Sequence, residues 1–126
     1  MPEATDAAQR QRAAFIANAA LDKKAERLVA LDVRRLTSYA DTLIIASGTS
    51  DRHARAIADA VSEAVTARGE HPLGVEGYEE GRWVLIDLGD VIVHVFRPDV
   101  REEYDLERLW SDAPTIDVGA EVAASA

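Results

Sequence analysis

The sequence predicts a single α/β domain in which a mixed β-sheet is flanked by helices, and three observations lead to it. The chain has 126 residues, 48% hydrophobic and 29% charged, which is enough for one core and too little for two of ordinary size. Its segments run helix, strand, strand, helix, strand, hairpin, helix, an order that sets helices against a mixed sheet. The short continuous apolar run Leu43-Ile-Ile-Ala46 has the length of a central strand buried on both faces. A doubly wound nucleotide-binding fold would need more alternation.

Residues 7–26 lack Pro and Gly and are rich in Ala, with Phe15, Ile16, Ala19 and Ala20 as a modest apolar stripe, so they read as a helix. Leu28 to Val33 reads as a strand, and Asp41 to Ser47 as the central one. Ser50 is a good N-cap for the next element. From Asp51 to Arg68 the residues Ala54, Ile57, Ala58, Val61 and Val65 fall at helical spacing, and Gly69 stands where a left-handed C′ residue ends a helix. A short extended piece follows around Leu73 to Val75.

The most informative stretch is Trp83 to Phe96. Gly89-Asp90 forms a two-residue turn with Gly first, as type II′ requires. Pairing Leu88 with Val91 then puts Val84, Ile86, Leu88, Val91, Val93 and Val95 on one face, all aliphatic. The other face carries Trp83, Leu85, Asp87, Ile92, His94 and Phe96. That mixture of aromatics, a carboxylate and an imidazole is the composition of a face covered by a helix or by a partner. A helix over 101–110 would cover part of it. From Pro114 the composition turns to Asp, Gly, Ala and Ser, which predicts a domain over 1–113 and a disordered tail over 114–126, of which residues 118–126 are expected to be dispensable.

Composition narrows function mainly by exclusion. Fourteen basic against twenty-three acidic residues give a net charge of -9, the wrong sign for a sequence-independent nucleic-acid binder and the right one for a basic protein partner. With no cysteine there is no disulfide, thiolate catalysis or Cys-based zinc site. The opening Met-Pro-Glu-Ala-Thr-Asp has neither a basic nor an apolar leader region, and no stretch approaches the roughly 18 apolar residues of a spanning helix, so a cytoplasmic location is expected, away from membranes.

Dinucleotide, P-loop, acyl-transfer and metalloprotease signatures are all missing. His53, His71 and His94 are scattered over a helix, a loop and a strand, and read as surface or hydrogen-bonded imidazoles rather than as a metal set. Asp32, Asp41, Asp87 and Asp90 offer no alternating pair on one strand to hold magnesium, and Asp90 reads as a turn former. The run Ser47-Gly-Thr-Ser50 at a helix start could cradle a phosphate with Arg52 and Arg55 nearby, which would make the chain a phosphate- or nucleotide-using enzyme. The capping role of Ser50, with Asp51 in the first turn, accounts for the same residues without a ligand.

Several stretches agree in order and spacing with one family. Leu31-Asp-Val33, Asp41 through Ala-Ser-Gly-Thr-Ser-Asp-Arg-His53, Pro72-Leu-Gly-Val-Glu-Gly-Tyr78, the hairpin Trp83 to Phe96, and Arg101-Glu-Glu-Tyr-Asp-Leu-Glu-Arg-Leu-Trp110 resemble the ribosomal silencing factor, or Iojap-like, family. The resemblance runs from about residue 8 to Pro114. It implies a nucleotidyltransferase-like α/β fold without that active site, no enzymatic activity and no cofactor. It also implies binding to the fourteenth large-subunit ribosomal protein, which keeps the small subunit from joining and represses translation under nutrient limitation. Carried onto this sequence, the partner-binding residues are Trp83, Asp87 and His94 of the hairpin with Tyr104, Leu106 and Trp110 of the last helix.

Each has a plainer reading. Leu109 and Trp110 near a helix end read as core. His94 either orients a contact or pairs with Asp87 diagonally across the hairpin. Trp83 and Tyr104 divide about evenly between core and interface; as aromatics with a polar handle among acids they read as anchors, and if so their loss would spare the fold. The mixed hairpin face is also where two free copies of the chain would associate.

Overall fold

Every segment of the expected order is present in the computed structural model, which describes residues 2–119. The first helix, α1 (Pro2–Asp22), stops four residues short of its expected end. Lys24 takes the left-handed conformation at φ 63°, with the Ala25 N–H bonded to the Ala20 carbonyl and the Lys24 N–H to the Leu21 carbonyl. This is a Schellman stop built on Lys rather than Gly, so no glycine marks it in the sequence. Strand β1 (Glu26–Asp32) therefore starts two residues early, with a bulge where Arg27 has φ 50°.

Strand β2 (Thr42–Ser47) is buried at every position, as the apolar run requires. Helix α2 (Asp51–Ala67) is capped by the Ser50 hydroxyl, which accepts the His53 N–H, and closed by Gly69 at φ 83° in the same Schellman pattern. Strand β3 (Gly74–Glu76) precedes the hairpin of β4 (Trp83–Asp87) and β5 (Val91–Phe96). Leu88 donates its N–H to the Val91 carbonyl and Gly89 turns at φ 89°, the expected register and turn.

The strands lie in the order β1-β2-β5-β4-β3. Only β2 and β5 run parallel, so the sheet is mixed. Helices α1 and α2 pack on one face over Ile44, Ala46, Val84, Ile86, Val91, Val93 and Val95, giving the larger core. The opposite face holds Leu31, Val33, Leu43, Ile45, Ile92 and Phe96 under the C-terminal helices.

Two expectations fail there. The continuous helix over 101–110 is instead α3 (Pro98–Tyr104) and α4 (Leu106–Leu109), broken where Asp105 adopts φ 47°. Pro98, with its fixed φ and no N–H to lose, starts α3 earlier than expected. The expected boundary at 113 also moves. Thr115 bridges Leu31, the Asp32 N–H reaches the Pro114 carbonyl, and the Ile116 N–H reaches the Ala30 carbonyl, extending the β1 edge. Val118 is buried and Ile116 packs against the larger core, so residues 114–118 belong to the domain; residues 120–126 of the expected tail lie outside the described ones.

Candidate functional site

Strands β4 and β5 pair Trp83 with Phe96 and Leu85 with His94, which lines up three rings on the face opposite α1 and α2. Trp83 stacks on Phe96 at a centroid distance of 4.9 Å, and Tyr104 from the end of α3 meets Trp83 at 4.7 Å with a tilt of 47°. Phe96 is wholly buried, Trp83 half-buried and Tyr104 53% exposed, so the stack rises from the sheet to the surface. Glu102, Glu103 and Asp105 flank Tyr104 in sequence and are exposed, giving the outer ring an acidic surround.

Trp83 Nε1–H donates to His94 Nδ1 at 3.0 Å. Since an indole nitrogen only donates, His94 is a neutral imidazole with its proton on Nε2. Burial acts in the same direction, pushing the His94 pKa down to about 4. His94 is thus engaged with Trp83 across the hairpin. The alternative pairing with Asp87 does not form: the Asp87 carboxylate accepts the Gly89 N–H at 2.9 Å and closes the turn.

The expected partner-binding residues are therefore only partly assembled. Trp83, His94 and Tyr104 form one cluster. Leu106 and Trp110 are half-buried against the second core cluster. Asp87 stands at the far end of β4, four residues or about 13 Å from Trp83 along the strand. Leu109, read as core, is 73% exposed, because the break at Asp105 turns α4 so that Leu106 rather than Leu109 faces the sheet.

The phosphate reading of Ser47 to Ser50 finds its groups engaged within the chain. The Gly48 N–H donates to the Phe96 carbonyl, the Thr49 N–H to His53 Nδ1, and the Ser47 hydroxyl accepts from Arg101. Gly48 has its own packing reason, since a Cβ there would sit 2.8 Å from the Ala54 nitrogen. Among the described residues no three His, Cys, Asp or Glu gather as a metal set, and no helix is long and apolar enough to cross a membrane.

The family model described as "Ribosomal silencing factor during starvation" matches residues 5–126. The chain belongs to the ribosomal silencing factor family. The match takes in the segment after Pro114, in keeping with its docking on β1. A ribosomal silencing factor of Halalkalibacterium halodurans is 48% identical over 101 residues, covering 80% of this chain and 86% of that one. A Bacillus subtilis member is 45% identical over 97 residues, covering 77% and 82%. A crystal structure of a Chromobacterium violaceum protein, 41% identical, superposes with a TM-score of 0.76 over 77% of this chain and 81% of that one. The mixed α/β architecture is thus that of solved relatives.

What sequence reading of this family member missed is Arg101. It is 3% exposed and binds both Ser47 and Glu107. On a continuous helix, residues six apart point about 120° away from each other, so only the break at Asp105 lets the two meet.

Proposed function

We propose that this chain acts without catalysis, by binding the fourteenth protein of the large ribosomal subunit and blocking the small subunit from joining, so that translation falls under nutrient limitation. The observation that carries the contact is the Phe96–Trp83–Tyr104 stack, a rigid aromatic column ending in a half-exposed ring among carboxylates. Buried aromatics ringed by polar groups are the usual anchors of protein interfaces, and an acidic rim on a chain of net charge -9 steers toward a basic protein. Family membership supports the ribosomal target. So does a mouse relative, 33% identical over 89 residues, named mitochondrial assembly of ribosomal large subunit protein 1. When no partner is bound, the same face is where two copies would pair.

Sedimentation with purified subunits tests this directly. The chain is expected to travel with the large subunit and to suppress subunit joining in a light-scattering assay. Association with the isolated partner protein should slow as salt rises, since rim charges are screened over roughly 8 Å at physiological ionic strength. Absence of co-migration with the large subunit would overturn the proposal.

A further inference from the structure

The break between α3 and α4 is held by a side chain that the aromatic column does not use. The buried Arg101 guanidinium donates through Nη1 to the Ser47 hydroxyl at the end of β2, at 2.9 Å. Its Nε and Nη2 grip the two carboxylate oxygens of Glu107 at 2.9 and 3.2 Å, a bidentate pair that fixes orientation as well as distance. The Arg101 backbone carbonyl also accepts the Asp105 N–H at 2.8 Å. One residue thus ties the sheet, the elbow and α4 together.

Apart from that grip, α4 is held by Leu106 and Trp110, which pack at its two ends against the second core cluster. The helix is four residues long, far below the length at which a helix sustains itself, and Asp105 before it makes no side-chain capping bond. Asp105 takes the left-handed region at φ 47°, which Asp tolerates better than most residues but still at some cost, so the elbow gains from outside support. Leu106 packs inward while Leu109 is left 73% exposed on the same elbow that carries Tyr104.

We infer that Arg101 is a positioning residue: by gripping Glu107 it fixes the α3–α4 elbow and presents Leu109 beside the aromatic column as an anchor for the ribosomal partner. This rests on the functional reading above. The bidentate grip matters because a loose α4 would have to order on binding, and that ordering is lost affinity.

The test uses the full chain with Arg101→Met and Leu109→Ala, singly and together. Arg101→Met keeps an apolar body in the buried space and releases Glu107, whose side chain is already 36% exposed, to water. It should leave amide exchange in β2 and β5 unchanged while speeding exchange at residues 105–110 at least tenfold. Large-subunit affinity should drop at least tenfold, and Leu109→Ala should cost several-fold less in the Arg101→Met background than in the native one. Arg101→Lys, which keeps the charge without the fork, should fall between. If Arg101→Met unfolds the chain, Glu107→Gln reads the same coupling from the exposed side of the pair. Unchanged exchange at 105–110, or Leu109→Ala effects that simply multiply, would overturn the inference. A native chain that does not bind the large subunit would instead overturn the ribosomal reading, and the exchange experiment alone would then decide whether Arg101 sets the elbow.

Discussion

The two faces of the β4–β5 hairpin are built from alternate residues of the same strands, yet they are held by different physics. Under α1 and α2 lie Val84, Ile86, Val91, Val93 and Val95, each no more than 1% exposed and without a polar side-chain atom. Their attraction is non-directional and grows with area, so any well-fitting aliphatic set would serve. On the other face Trp83, His94 and Phe96 are fixed by ring geometry and an indole-to-imidazole hydrogen bond, under a lid of two short helices. On the first face every side chain serves the fold; on the second only the half-exposed Tyr104 is free enough of the core for its loss to be read apart from folding.

The sharpest way to break this contrast is Val93→Asp. A carboxylate forced among aliphatic side chains with no partner should destabilise the domain by about 4 kcal/mol or more and abolish cooperative melting by circular dichroism. A stable, cooperative variant would mean that the face under the helices has access to water.

Next in size are two effects centred on the aromatic face. Burial holds His94 near a pKa of about 4, against about 6.5 in the unfolded chain, so as pH falls the unfolded state takes up the proton first. Stability is therefore full above about pH 6.5 and falls toward pH 4, by about 3 kcal/mol in all. Urea melts across this range should show the slope, and His94→Gln, which keeps an acceptor for Trp83, should flatten it. Asp32, held at about 2 by Arg34, adds its own loss only below the usual carboxylate range, so the two windows do not overlap. Trp83→Ala should cost about 3 kcal/mol of stability, since it removes the stack on Phe96 and leaves His94 Nδ1 without a donor. Trp83 therefore contributes to the fold, unlike the sequence expectation that its loss would spare folding.

Tyr104→Ala isolates recognition. Its ring is 53% exposed, so melting should shift by less than about 1 kcal/mol, while large-subunit affinity should fall by about 2 kcal/mol in calorimetry. The smallest effect expected lies at the margin of the larger core: Val118→Ala should cost about 1 kcal/mol by chemical denaturation, because Val118 is only 9% exposed. No change there would restore the view that residues from Val118 onward are dispensable.

Much of the molecule is legible in the sequence because its signals are local. Ser50 and Gly69 mark the ends of α2 through backbone groups within a few residues of them, and Gly89 sets the hairpin turn, which with alternation fixes which side chains share a face. The candidate site is less legible. Trp83, His94 and Tyr104 stand out through the family resemblance, but that His94 is a neutral acceptor for Trp83 depends on a hydrogen bond across the hairpin.

What the sequence by itself determined was the element order, the two-faced hairpin, the absence of the usual catalytic signatures and the family. All of these rest on short-range pattern, where spacing and residue type suffice. Only the tertiary structure decided that α1 stops at a left-handed Lys24, that the last helix breaks at Asp105, that Arg101 is buried against Ser47 and Glu107, and that Ile116 and Val118 return to the core. In each case the outcome depends on contacts with residues distant in the chain rather than on local preference. Left-handed backbone at Lys24 and a guanidinium out of water are unfavourable in isolation, and the pairing of Thr115 with Leu31 joins residues 84 apart, so each is decided by partners that local pattern does not show.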